Sequence, residues 1–308
     1  MKQVFQKLTR KKGYNSQHKM CPHCGKFVAE SDIKCPYCEG QIGHVRVLKQ
    51  RATTKSDGNV ETTWLLVGIC VFYYILHAVK SVDLHSLGIE GLPEKSLFEI
   101  YFAPEGLVSL LMGSNFAPFT WGGEFWRLIQ YMFLHGGLVH IGFNLYALAT
   151  LGPMVKNSFG IRRFWVIVIL TGIIGGVSSN LGFLIHLNRG PSVGVSGALF
   201  GLLGAMYGFF RSSGNFSAAQ QFKKFMINAN VFCFVISIFM PIDNMAHLGG
   251  MFTGIGLGLL MYRLASSKLM IQLEYLALLA CSALWFWGIY QMAINLTHME
   301  KALIHYLQ

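Results

Sequence analysis

The sequence predicts an all-α polytopic membrane protein with seven spans and a small N-terminal zinc ribbon. Three observations predict it. Of 308 residues, 53% are hydrophobic and only 13% are charged, against roughly 25% charged residues in soluble domains. With a mean hydropathy of +0.45, the chain has too few charges to coat a water-facing surface, so two soluble domains are excluded, as are disordered and collagen-like chains. Seven apolar runs recur, each near the length that crosses a hydrocarbon core of about 30 Å. Finally, Cys21, Cys24, Cys35 and Cys38 form two Cys-x-x-Cys pairs close to the N-terminus.

The chain divides into residues 1–58, a cytoplasmic metal module with a polar linker (Thr53–Gly58), and residues 59–308, the membrane domain. Of the 25 lysines and arginines, 12 lie between Lys2 and Lys55. No apolar core follows Lys2, Lys7 and Arg10, so no secretory signal peptide is expected. Nucleic-acid binding would be one reading of this charge. Topology accounts for it without a nucleic acid, because basic segments stay on the cytoplasmic side, and no nucleic-acid partner is expected.

The expected spans are Thr63–Val79, Gly136–Val155, Phe164–Ile185, Ser196–Phe210, Phe225–Met240, Met245–Tyr262 and Leu273–Ile294. Lys156, Arg162 and Arg163 follow the second, Arg211, Lys223 and Lys224 the fourth, and Arg263 and Lys268 the sixth. The positive-inside rule then places the N-terminus in the cytoplasm and the C-terminus outside, as an odd number of spans requires. The loop from Lys80 to Arg127 is acidic and too apolar for a simple connection. Leu97–Phe102 and Leu107–Met112 are expected as short interfacial helices, with Trp121 and Trp126 at the headgroup level.

In the cysteine cluster, each Cys-x-x-Cys turn aims two thiolates at one point, and two turns supply the tetrahedral S₄ set that zinc prefers. Gly25 and Gly40 follow the turns, where the backbone must curl under a metal. The alternative is a redox pair, although dithiol chemistry needs only one such turn. A cytoplasmic location disfavours disulfides. About forty residues cannot bury a sufficient core, so structural Zn²⁺ would nucleate the fold. Cys70, Cys233 and Cys281 lie singly in apolar runs and read as small core residues.

Polar groups inside apolar spans are costly. His140, Asn144, Ser196 and His247 stand out, and each alone would read as interhelical hydrogen bonding. Their depths converge. At a rise of about 1.5 Å per residue, Ser196 lies about 22 Å above Arg211, His247 about 24 Å above Arg263, and His140 about 24 Å above Lys156. Asn144 follows His140 by one turn on the same face. Ser196 opens a helix after Gly190, Pro191 and Gly194, so free backbone N–H groups and a positive dipole end meet there. His247 is the histidine at matching depth, and small residues at four-residue spacing (Gly197, Gly201, Gly204 and Gly208; Ala246, Gly250, Gly254 and Gly258) let the two helices approach closely. No acid shares this depth, Asp243 being one turn above, so the residues read as a Ser–His dyad and not a triad.

These residues resemble the rhomboid family of intramembrane serine proteases. The likeness covers about residues 63–263 and rests on Trp126-Arg127, His135-x₄-His140-x₃-Asn144, Gly194-x-Ser196-Gly197 and Ala246-His247-x₂-Gly250-x₃-Gly254. The resemblance implies a rhomboid-like six-helix core, Ser196 as nucleophile, His247 as its base, and an oxyanion hole from His140, Asn144 and the Ser196 N–H. Phe200 occupies a position where some relatives carry a tyrosine stacked on the histidine. The resemblance implies cleavage of single-pass membrane proteins near the outer edge of their membrane segment, with small residues at the cut and helix-destabilising residues nearby. The zinc ribbon and the seventh span, about residues 273–294, lie outside the family core; the ribbon is expected to engage a cytoplasmic partner, and catalysis needs no cofactor. Two other classes compete: a non-catalytic relative that binds transmembrane helices, which would typically lack the serine or the histidine, and a transporter, which the lack of intramembrane acids and repeat symmetry disfavours.

Overall fold

The computed structural model describes residues 18–21, 26–29, 32, 34–40, 61–87, 92, 94–187, 190–299 and 301–303. It divides into two units, Met1–Thr53 and Thr54–Gln308. Cys24, Gly25 and the linker 53–58 fall outside the described residues.

In the first unit, β1 (His18–Met20) pairs antiparallel with β2 (Phe27–Ala29), with Lys19 opposite Val28. The Cys21 N–H donates to the Lys26 C=O at 2.8 Å, and the Cys35 N–H to the Gly40 C=O at 2.9 Å. The second bond closes a tight loop immediately after Cys35.

The second unit is helical. Its long helices are α1 (Glu61–Ser86), α6 (Leu138–Phe159), α7 (Ile161–Leu184), α8 (Ser196–Ser212), α9 (Phe216–Ile236), α10 (Asn244–Arg263) and α11 (Lys268–Thr297). Between α1 and α6 run the short α2 (Leu97–Phe102), α3 (Gly106–Met112), α4 (Ala117–Trp121) and α5 (Arg127–Gln130), then a 3₁₀ turn at Tyr131–Phe133. Helix starts follow local chemistry. Ser96 and Glu99 form a reciprocal capping box on α2, while Asn215, Asp243 and Ser267 each accept a backbone N–H at the heads of α9, α10 and α11. Such caps satisfy donors that a helix leaves open.

Each of the seven expected spans falls on one of these helices, and the segments expected as short helices at Leu97–Phe102 and Leu107–Met112 are helical. Five helices (α1, α6, α7, α10 and α11) are long and apolar enough to cross a membrane. The chain is a multi-pass membrane protein. Helix α8 has only 17 residues. The fifth expected span shifts: α9 starts at Phe216, nine positions before Phe225, and ends at Ile236. Pro241 lies just beyond, and a residue before proline resists helical geometry. Trp126 also departs from expectation. It is 3% exposed, because its ring fills the space that Gly113 leaves open, whereas Trp121 is exposed.

Helix α8 is the centre of the unit. Eleven of its 17 residues are buried, so it is apolar on all sides and enclosed by other helices. It packs against α6, α7, α9 and α10.

Candidate functional site

The site begins with a turn. Gly194 has φ +115°, a conformation that favours glycine, and its N–H donates to the Tyr131 C=O at 2.9 Å. The chain is thereby turned into the head of α8 at Ser196. No side chain caps this helix, so its first N–H groups are left without a side-chain acceptor. The preceding strand-like segment is held by Asn115 and Ser192, which exchange backbone bonds of 3.0 and 2.8 Å, while Asn115 Nδ2 donates to the Gly176 C=O at 2.9 Å.

Helix α10 brings His247 to the serine. His247 Nε2 lies 2.9 Å from Ser196 Oγ. The separation depends on glycine: a Cβ at Gly250 would overlap the Gly197 C=O, and one at Gly254 the Gly201 C=O. Along this seam the backbones themselves are in contact. His247 Nδ1 has no hydrogen-bond partner among the described residues. Asp243 Oδ1 accepts from the Ala246 N–H at 2.9 Å, so its carboxylate caps the helix. Phe200 stacks on His247, with ring centroids 4.4 Å apart and planes 18° apart.

Helix α6 supplies the opposite wall. Where a Cβ on Gly194 would stand, His140 Nε2 lies 2.9 Å away and Asn144 Nδ2 3.5 Å. Asn144 Nδ2 is buried without a hydrogen-bond partner among the described residues. His135 is buried, with its ring 5.1 Å from that of His140. Ser196, His247, His140, Asn144, Gly194, Phe200 and Gly250 therefore meet in one place.

Arg127 does not join them. It is fully buried, and its Nη1 donates to the C=O groups of Leu110 at 2.7 Å and Ser114 at 3.0 Å. Its Nη2 lies 2.7 Å from Glu124 Oε2. A planar five-donor fork suits this task, holding α3 and α5 in one loop. Sequence reasoning passed over Tyr131, whose C=O anchors Gly194 and whose hydroxyl donates to the Gly172 C=O at 2.6 Å. A tyrosine in an aromatic-rich run carries no distinguishing signal. It also passed over Glu274, whose acid inside the seventh apolar run was a legible signal.

In the N-terminal unit, the sulfurs of Cys21, Cys35 and Cys38 lie within 4.8 Å of one another, with Cys21 and Cys38 3.6 Å apart. Zn–S bonds of about 2.3 Å place tetrahedral sulfurs about 3.8 Å apart, so this spacing fits a metal. The Tyr37 N–H also donates to Cys35 Sγ at 3.4 Å. This group could hold a metal ion.

Comparison with known proteins gives the family. A Rhomboid domain matches residues 122–264. The chain is 31% identical to RHOMBOID-like protein 9, chloroplastic, of Arabidopsis thaliana, over 62% of this chain and 39% of that one. It is 34% identical to RHOMBOID-like protein 6, mitochondrial, of the same plant, over 46% and 45%. It is 30% identical to Rhomboid protease GluP of Bacillus subtilis, over 68% and 37%. The matched region thus spans less than half the length of each of these relatives. The Rhomboid domain, the relatives and the multi-pass helical fold agree: the chain belongs to the rhomboid family.

Proposed function

We propose that the membrane unit is an intramembrane serine endopeptidase that cleaves single-pass membrane proteins near the outer edge of their transmembrane segment. The observation that carries this reading is the 2.9 Å contact between Ser196 Oγ and His247 Nε2, at an uncapped helix head. In the proposed reaction His247 Nε2 takes the Ser196 proton as the oxygen attacks the scissile carbonyl, then returns it to the leaving amine. The tetrahedral oxyanion is held by the Ser196 N–H, His140 and Asn144 Nδ2. Preorganised donors of this kind are the largest single contribution in many acyl-transfer enzymes. Phe200 holds the imidazole plane, and Gly250 holds the two helices at contact distance.

The orientation belongs to the same proposal: N-terminus in the cytoplasm, C-terminus and active-site opening outside, following the basic residues at one end of the helices. Cys24 would complete the set begun by Cys21, Cys35 and Cys38, binding a structural Zn²⁺ in a module that selects a cytoplasmic partner or substrate tail. The ion would supply folding energy to that module; on this topology about 22 Å of membrane separates the inner face from Ser196, so the metal takes no part in hydrolysis. The competing reading, a relative that binds transmembrane helices without cutting them, leaves the Ser196–His247 contact without a use.

The test is covalent labelling with a serine-directed fluorophosphonate in reconstituted vesicles, together with cleavage of a single-span substrate. Ser196 should be labelled in the wild type and not in His247→Ala, and Ser196→Ala should cut nothing. Substantial cleavage by Ser196→Ala would sink the assignment.

A further inference from the structure

The C-terminal helix α11 lies outside the matched domain, and only 17% of its most apolar window is buried. Apolar packing therefore holds it weakly, yet it is tied to the rest of the unit at three polar points. Near its start, Glu274, 2% exposed, lies 2.6 Å from both Arg162 Nε and Arg163 Nε at the head of α7. Near its end, Asn295 Nδ2 donates to the Leu111 C=O of α3 at 3.1 Å. Between them, Gln130 Nε2 donates to the Trp285 C=O in a long bond of 3.4 Å. Two outer anchors fix where the middle of α11 stands.

Gln130 is fully buried and is a junction of three elements. Tyr73 Oη of α1 donates to Gln130 Oε1 at 2.8 Å. On α11, Gly288 makes room for it: a Cβ there would stand 2.6 Å from Gln130 Cγ and 2.7 Å from Nε2. The next residue is Tyr131, whose C=O receives the Gly194 N–H at 2.9 Å. From Gln130 to the serine turn is thus one peptide and one hydrogen bond. A displacement of the Gln130 backbone carries Tyr131 with it, and Tyr131 carries the Gly194–Ser196 turn.

We propose that Gln130 is a positioning residue, through which the C-terminal helix sets the backbone of the Gly194–Ser196 turn. The proposal rests on the protease reading above and deepens it. Gln130 touches no reacting atom. Its effect is on the direction of the Ser196 N–H and Oγ, where a misplacement of about 1 Å costs as much as 10²-fold in rate.

The experiment measures the rate of fluorophosphonate labelling of Ser196 and the separate kcat and KM for a single-span substrate, with thermal unfolding recorded for each full-length variant. Gln130→Leu removes both hydrogen bonds at similar volume. Gly288→Ala pushes on the Gln130 side chain from α11 and leaves Gln130 itself unchanged. Tyr73→Phe deletes one hydroxyl and is the mildest of the three. Gln130→Leu and Gly288→Ala should each slow labelling about tenfold or more, lowering kcat with KM little changed. The double variant should be no slower than the slower single, because both act through one side chain. Should those two fail to fold, Tyr73→Phe decides, with labelling slowed several-fold. Labelling at the wild-type rate in folded variants, or losses that multiply in the double variant, would overturn the role of Gln130. Failure of the wild type to label at Ser196 would instead remove the protease reading.

Discussion

Phe200 and His247 lie face to face, 4.4 Å apart at 18°, on helices whose glycines bring the backbones into contact. The stack covers one face of the imidazole, whose Nε2 lies 2.9 Å from Ser196 Oγ, and His247 Nδ1 has no hydrogen-bond partner among the described residues. On the proposed mechanism an aromatic face fills the orienting role that a carboxylate fills in a triad.

Removing that face has a readable cost. Stacked aromatic pairs contribute about 0.5–1.5 kcal/mol beyond burial, so Phe200→Ala should lower kcat/KM about 2- to 10-fold, whereas Phe200→Tyr should keep the wild-type value. Steady-state cleavage in detergent or vesicles checks this. A wild-type rate in Phe200→Ala would mean that the ring is oriented by something else.

The glycine seam gives a paired comparison. A methyl at Gly254 would overlap the Gly201 C=O, and a backbone atom cannot move aside, whereas one at Gly256 meets nothing within 4 Å. Gly254→Ala should therefore destabilise the membrane unit by about 1–3 kcal/mol and abolish labelling of Ser196. Gly256→Ala should do neither. Thermal unfolding and labelling of the two variants side by side decide it; equal behaviour would refute contact packing as the source of the Ser196–His247 geometry.

The proposed oxyanion donors should be graded. Removing one such donor typically costs about 10²–10³ in kcat. Asn144→Ala and His140→Ala should each fall in that range while substrate still binds and the protein still unfolds at its usual temperature. If both cut at the wild-type rate, these side chains are interhelical contacts only.

Metal removal should separate the two units. Chelation, or Cys35→Ser, should release Zn²⁺ measured with a colorimetric indicator and unfold the first unit, since the metal would replace a core there. The membrane unit should keep its unfolding temperature and its cleavage of a substrate without a cytoplasmic tail. Loss of that cleavage, with the membrane unit still folded, would tie the metal to catalysis.

The sequence by itself determined the membrane class and the places of the long helices, the fifth excepted, and it singled out Ser196, His247, His140 and Asn144 as one set. Apolar run length, helix periodicity and the rarity of polar groups in spans are local properties, and each can be read along the chain. The same locality explains the misses. The start of α9 at Phe216 follows from an Asn215 cap ahead of a polar stretch, where apolarity gives no signal. Trp126 points inward because Gly113, thirteen positions earlier, leaves a space its ring fills. Only the tertiary structure decided that Arg127 holds the carbonyls of Leu110 and Ser114. Only it decided that Tyr131 anchors Gly194, and that Glu274 and Gln130 tie α11 to the rest. Apart from those of Arg127, these are pairings between residues more than sixty positions apart, and several of the partners are backbone carbonyls. Every residue carries a carbonyl, so the identity of the partner leaves no mark in the sequence.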